Sequence, residues 1–203
     1  MGSSGLSTVW AKAKCDFSGT NPQEMAAWSG ASLLRSPDRL QFSFCGHLCQ
    51  VFYPQGEVIW AAPERLHENE EVLILQYVAQ ATGLPLRGRW LSFLELPGGE
   101  HHDALFRKEA HLPLVQSFGD NPDGFIEAAQ DWGGRIMKGY GDVACMIPVF
   151  PRLPVLAILW QQDEEFSARS ALLFDSSAPG YLSTAALYVL GIALAQRLVQ
   201  SRS

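Results

Sequence analysis

Cys45, His47 and Cys49 fall within five positions of the stretch SFCGHLCQ, residues 43–50. Two thiols and an imidazole so close together are the raw material of a zinc or redox site. The flanks offer a simpler use, because RLQFSF and LCQVFY alternate apolar and polar residues as paired strands do. With Gly46 and His47 as a two-residue loop, Phe44 faces Cys49, Phe42 faces Val51 and Ser43 faces Gln50, which gathers the apolar side chains on one face. A three-residue loop would oppose Phe44 to Gln50 and mix the faces. The first register puts Cys45 on the polar face and Cys49 on the core face, so they cannot share an ion. Structural zinc wants four ligands, and the other thiols are only Cys15 and Cys145. The hairpin is preferred, with His47 solvated at its tip and no metal assigned.

A second group is ELPGGEHHDALFRKEAH, residues 95–111, a strand, a glycine loop and a helix entry. Glycines before a helix N-terminus can present N–H groups to an anion, but Glu100 and Asp103 already bring negative charge there. His101 and His102 are adjacent and diverge by about 100° on a helix, and His111 lies more than two turns from them. No histidine pair has the i, i+4 spacing of a two-histidine metal motif. In WQQDEEF and ALLFD, Asp163 and Asp175 sit at opposite ends of an expected hairpin, roughly 15 Å or more apart at the usual strand rise. They are read as a solvated loop and an Asx-type turn. The chain has no G-x-S-x-G elbow, no Walker loop and no dinucleotide fingerprint. Trp60, Trp90 and Trp160 each lie in a strand-like run, where they can wall a pocket for a flat ligand or fill the core.

The elements that must position these residues are legible in outline. Helices are expected at 21–30, 69–85, 101–118, 122–132 and 183–200, from Asn caps, Pro at the first helical position and Gly stops. In the second of these Asn69 can cap, and Glu70 and Glu71 complement the positive helix end. Strand-like runs are RLQFSF, LCQVFY, EVIWA, RWLSFLEL, DVACMIPVF, VLAILWQQ and SALLFD. VLAILW is apolar on both parities, which predicts a central strand covered on both faces. Pro148 denies a ladder donor, which predicts an edge or a bulge. Strands come in two hairpin groups rather than alternating with helices, so the class is α+β with a mainly antiparallel sheet. About five helices pack on it, including a buried C-terminal one. The whole of 1–203 is taken as one domain, with 1–20 unassigned and free to be flexible.

Composition narrows the partners. At 203 residues, 47% hydrophobic and 18% charged, the chain is an ordinary globular one. A net charge of −6 disfavours nucleic acid, which needs clustered Lys and Arg. The longest apolar run, 185–195, is too short for a membrane span. Four cysteines and no export signal at the N-terminus make the cytoplasm the expected compartment.

Three stretches together, GLPLRGRWLSFLELPGG at 83–99, LPVLAILWQQDEEF at 153–166 and ALLFDSSAPGYL at 171–182, carry a resemblance. They resemble an uncharacterised prokaryotic family, a domain of unknown function found largely in anaerobes. Some of its members carry the domain beside an iron–sulfur segment of the corrinoid-protein kind, a cysteine cluster this chain lacks. The resemblance implies a link to anaerobic cofactor metabolism and no particular activity. The expected function is a small-molecule or cofactor-binding accessory protein, with haem or a corrinoid as the candidate ligand. Trp90, Trp160, His101 and His102 are its expected binding residues, one histidine serving as axial donor. An enzyme built on Glu95, the glycine loop and the histidines is the alternative. Another is an interaction module, or a homo-oligomer, using the exposed part of the last helix.

Overall fold

The computed structural model of the protein describes residues 3–201. Ser3–Gly19 forms helix α1, where the sequence signals no element; among the residues whose side chains are described, Ala13 and Phe17 mark its buried side against α3. Pro22–Ser29 is α2, capped by Asn21 and stopped by Gly30 in the left-handed region. A four-stranded antiparallel sheet follows in the order β1 (Ser32–Leu34), β2 (Arg39–Phe44), β3 (His47–Phe52) and β4 (Glu57–Trp60). Helix α3 (Glu68–Gln80) then leads to the second sheet. That sheet runs β5 (Trp90–Ser92), β9 (Arg169–Asp175), β8 (Leu153–Trp160), β7 (Val143–Phe150), β6 (Arg135–Ile136), all antiparallel. Between β5 and β6 lie α4 (Asp103–Phe106), a π-turn (Arg107–His111), α5 (Leu112–Phe118) and α6 (Pro122–Asp131). Helix α7 (Thr184–Gln200), capped by Ser183, closes the fold. The class is α+β.

The strand expectations fare well where periodicity is strong. β8 is central in its sheet and buried along nearly its whole length, as its two-sided apolar run predicts. The register of β7 against β8 shifts between Ile147 and Phe150, which places a bulge at Pro148. RWLSFLEL is strand only over Trp90–Ser92 and then tightens into a single turn at Phe93–Glu95.

The β2–β3 hairpin corrects the expected register. Its turn residues are Cys45 and Gly46, both with positive φ (47° and 77°), so Phe44 faces His47 and Phe42 faces Cys49. A turn of this hand wants glycine at its second central position, which moves the loop one residue back. The pairing slips by two residues, so Phe42, Phe44, Cys49 and Val51 still share the core face. Cys45 does not point to a polar face. It is buried, with its N–H donating to the Val149 carbonyl at 2.9 Å and tying the hairpin to β7. Burial pushes both thiols up, Cys49 to about 12, and for Cys45 the nearby Glu70 adds to it. Such thiols are protonated and unreactive at neutral pH. His47, expected in solvent, lies half-buried edge-on to Trp60 and Trp132, with ring centroids 5.7 and 5.4 Å away.

One contiguous core runs between the two sheets and under α3 and α7. At its centre Tyr77 of α3 stacks on Phe150 of β7 at 4.1 Å, and its hydroxyl donates to the Ser29 carbonyl and accepts from the Arg152 N–H. Leu187, Leu190, Leu194 and Leu198 give α7 its buried stripe.

The same helices meet in a buried ion pair. Arg197 and Glu70 have side chains only 2% exposed. Arg197 Nε donates to Glu70 Oε1 at 2.5 Å, Nη2 donates to Glu70 Oε2, and Nη2 also reaches the Arg65 carbonyl at 3.1 Å. The guanidinium lies 4.6 Å from the Trp60 ring and 5.1 Å from Trp132. Glu70 Oε2 further accepts the His67 N–H, so His67 rather than Asn69 opens α3. Removing one partner of a buried pair strands the other charge, typically at about 3–5 kcal/mol. Arg197→Ala and Glu70→Ala are each expected to lower unfolding free energy by that order, and the double variant by clearly less than their sum. Chemical denaturation of the three variants measures this, and additive losses would show the two residues to be independent.

Candidate functional site

Strand β5 pairs with β9 only over Leu173–Asp175, which leaves residues 169–172 of β9 as an open edge. The helix from Asp103 to Phe118 runs along that edge and answers it with one residue. The Leu172 N–H donates to His111 Nε2 at 3.1 Å, and Ser170 Oγ donates to the His111 carbonyl at 2.9 Å. The π-turn places His111 there. Pro113 has no N–H and its ring clashes with the carbonyl four residues back, so an α-helix cannot pass through unaltered. The wider turn absorbs this, the Leu112 N–H reaching the Arg107 carbonyl.

Beside this contact opens a cleft of about 500 Å³, within the usual range for small-molecule pockets. Leu112, Val115, Ala171 and Leu173 supply apolar walls, and Trp160 at the end of β8 closes one side. The Arg169 guanidinium lies 4.7 Å from the Trp160 ring, and Arg107 holds Asp103 at 2.8 Å. The site is thus a flat aromatic surface with two arginines over an apolar floor.

His111 is neutral here. Burial pushes its pKa down to about 4, the Arg107 charge adds to this, and Asp103 opposes it. Because Nε2 accepts a hydrogen bond, the ring proton is on Nδ1, so the imidazole has no lone pair left for a metal. Among the described residues no group of three or more His, Cys, Asp or Glu side chains is arranged to hold a metal ion.

The structure does not gather the four residues singled out from sequence. Trp160 lines the cleft. Trp90 is half-buried on the same outer face of the sheet, packed with Trp160 and Met146 over Ala144, Leu156 and Ile158. His101 is 75% exposed beside Glu100, and His102 lies edge-on to Tyr188 at 6.2 Å; neither lines the cleft. In the glycine loop, Gly98 has φ +74° and a Cβ on Gly99 would meet the Phe93 carbonyl oxygen at 1.9 Å. Both glycines therefore serve the turn. Glu95 accepts from Ser92 N–H and Oγ–H at 2.8 Å, bonds that hold its pKa below the usual carboxylate range. Asp163 accepts from the Glu165 and Phe166 N–H groups, and Asp175 from those of Arg87, Gly88 and Ser177, so both are turn-formers. Arg107, His111 and Arg169 are the site residues that sequence reasoning missed. The one available signal was Pro113 two residues after His111 inside a helical pattern.

Two antiparallel sheets sharing a helical core, with an aromatic and arginine-bearing cleft at an open strand edge, define an α+β domain. Residues 21–197 match the family described as Domain of unknown function (DUF3786), and the chain belongs to that family. No curated protein and no solved structure matches it. Among the described residues no helix is long and apolar enough to cross a membrane.

The unfolded chain takes up the His111 proton as pH falls through its ordinary 6.5, while the folded protein resists until about 4. The His111 contribution is therefore full above about pH 6.5 and declines as pH falls toward 4, by up to about 3 kcal/mol. Thermal melts of the protein and of His111→Gln between pH 7.5 and 4 are expected to show a steeper acid decline in the former. Parallel curves would show that this imidazole is not buried neutral.

Proposed function

We propose that the domain binds a small, flat, anionic molecule in the cleft between Trp160 and the π-turn, as an accessory protein without chemistry of its own. The observation that carries this reading is the pairing of the Trp160 ring with Arg169 and Arg107 over an apolar floor. An aromatic face takes a planar ring, and guanidinium forks take carboxylates. The acid and the imidazole that line the cleft are committed to structure, Asp103 to Arg107 and His111 to the strand edge. That favours binding over acid–base catalysis.

Haem, a planar tetrapyrrole with two propionates, meets both requirements, whereas the side chains of cobalamin are amides and offer the site a ring face without carboxylates. Haem is the class to test, with a corrinoid as the comparison, in keeping with the link to anaerobic cofactor metabolism that the sequence resemblance implies. The ligand is held by its ring face and carboxylates, since His111 has no free lone pair and His101 and His102 face elsewhere. Titration with haem and with cobalamin, followed by absorbance, is expected to give a saturable one-to-one shift with at least one of them. Trp160→Ala and Arg169→Ala should each weaken it about tenfold or more, the usual worth of a charged hydrogen bond or desolvated cation–aromatic contact. No shift at tens of micromolar would overturn the tetrapyrrole assignment. A shift abolished by alanine at His101 or His102 and untouched by Trp160→Ala would move the site out of the cleft.

A further inference from the structure

On the far side of β5 lies a second cavity, of about 710 Å³, lined by Arg87, Arg89, Leu91, Glu95 and Ser176. Leu91 points away from Trp90 and Ser92 by strand alternation, so this cavity and the cleft touched by Ser92 occupy opposite faces of the same short strand. The segment that carries the two arginines is pinned by its backbone. Asp175 accepts from the Arg87 N–H at 3.1 Å and the Gly88 N–H at 2.7 Å, and the Ser176 N–H donates to the Arg89 carbonyl at 2.8 Å.

What the backbone fixes, the side chains leave free. Among the described residues neither the Arg87 nor the Arg89 guanidinium makes a hydrogen bond or a contact ion pair, whereas Arg107, Arg169 and Arg197 are all engaged. The floor of the cavity holds Ser176, whose Oγ is shut off from solvent and has no hydrogen-bond partner. A buried hydroxyl without a partner costs free energy and is uncommon, so a donor held this way beside two guanidiniums without hydrogen-bond partners, of which Arg89 lies within electrostatic reach of Glu95, has the form of a receptor for an anion.

Of the negative groups nearby, Asp175 is fully engaged by other donors and Glu95 is engaged through one oxygen, with the Arg89 charge acting on it as a smaller influence. Asp175 takes four hydrogen bonds on its two oxygens, and one Glu95 oxygen takes two from Ser92. Three donor groups around one space, two of them doubly forked and charged, suit a tetrahedral dianion better than a planar monoanion.

We infer that Arg87, Arg89 and the Ser176 hydroxyl form a phosphate-binding cradle, separate from the cleft at Trp160 and able to take free phosphate or the phosphate group of a small ligand. Inorganic phosphate, a simple phosphate monoester and acetate are to be titrated into the full chain and followed by calorimetry and by amide and ³¹P NMR. Saturable binding of phosphate is expected, weakened about tenfold or more in Arg87→Gln/Arg89→Gln and by a smaller factor in Ser176→Ala, with Trp160→Ala unchanged. The arginines are exposed, so the double variant should keep the far-ultraviolet spectrum and melting profile of the parent. Tighter binding of the monoester than of inorganic phosphate would place the cradle on a ligand, and the reverse order would place it on the free ion. Absence of saturable binding, binding indifferent to the double variant, or acetate binding as tightly as phosphate would each overturn the inference.

Discussion

The Glu70–Arg197 pair is the contact through which the two halves of this fold answer to each other. Glu70 opens α3, which packs on α1 and α2, and Arg197 stands near the end of α7, which packs on α5, α6 and the second sheet's helical layer. The guanidinium lies against Trp60 from β4 and Trp132 from the end of α6, so one side chain touches the first sheet and the helical layer. Two charges taken out of water are costly, and hydrophobic residues of equal volume would often do as well. What a bidentate pair adds is direction. It admits one rotation and one axial position of α7 against α3, and the leucine stripe alone would tolerate neighbouring ones.

The second sheet is resolved differently, by leaving a strand edge open and closing it with an imidazole. An unpaired edge of β9 is a template for unwanted pairing, and natural folds cover such edges. Here the cover is a helix that cannot approach as a regular helix, since Pro113 breaks its ladder and forces the π-turn. The widened turn sets His111 against Leu172 and holds α4 back from Trp160. The cleft is the space left between a strand edge and a helix that hydrogen-bonds to it through one residue.

How much of this was legible in the chain follows from how local each cause is. The caps at Asn21, Asn121 and Ser183, the two-sided burial of β8 and the bulge at Pro148 are local matters, and residue type with spacing predicts them. So is the shared face of Phe42, Phe44, Cys49 and Val51, which survives an error of two residues in the pairing because the strand period is two. Helix α1 was not legible, since the two buried side chains among those described make too short a pattern, and neither were β1 and β6, which are strands only because a neighbour pairs with them. Glu70 reads as a solvated first-turn acid until Arg197, 127 residues away, is placed beside it. Trp160 was found as an aromatic strand residue, but its arginine companions had no signal, because a lone Arg has the same appearance in sequence whether it faces water or a ring.

The distribution of the charged groups then bears on the kind of work such a domain can do. General acid–base chemistry needs a titratable group near neutrality with access to a substrate. Here the buried thiols are pushed far up, His111 is pushed down and spent on a strand edge, and Glu95, Asp163 and Asp175 are held ionised by backbone donors. At the cleft and at the cavity beside β5 the guanidiniums of Arg107, Arg169, Arg87 and Arg89 keep N–H groups free to donate hydrogen bonds, and they do not exchange protons at neutral pH. On a chain of net charge −6, the arginines at these two cavity mouths are local positive charges on a negative surface. A local positive field of this kind attracts a small anion more readily than a large polyanion, which would also have to lie against the acidic remainder of the surface.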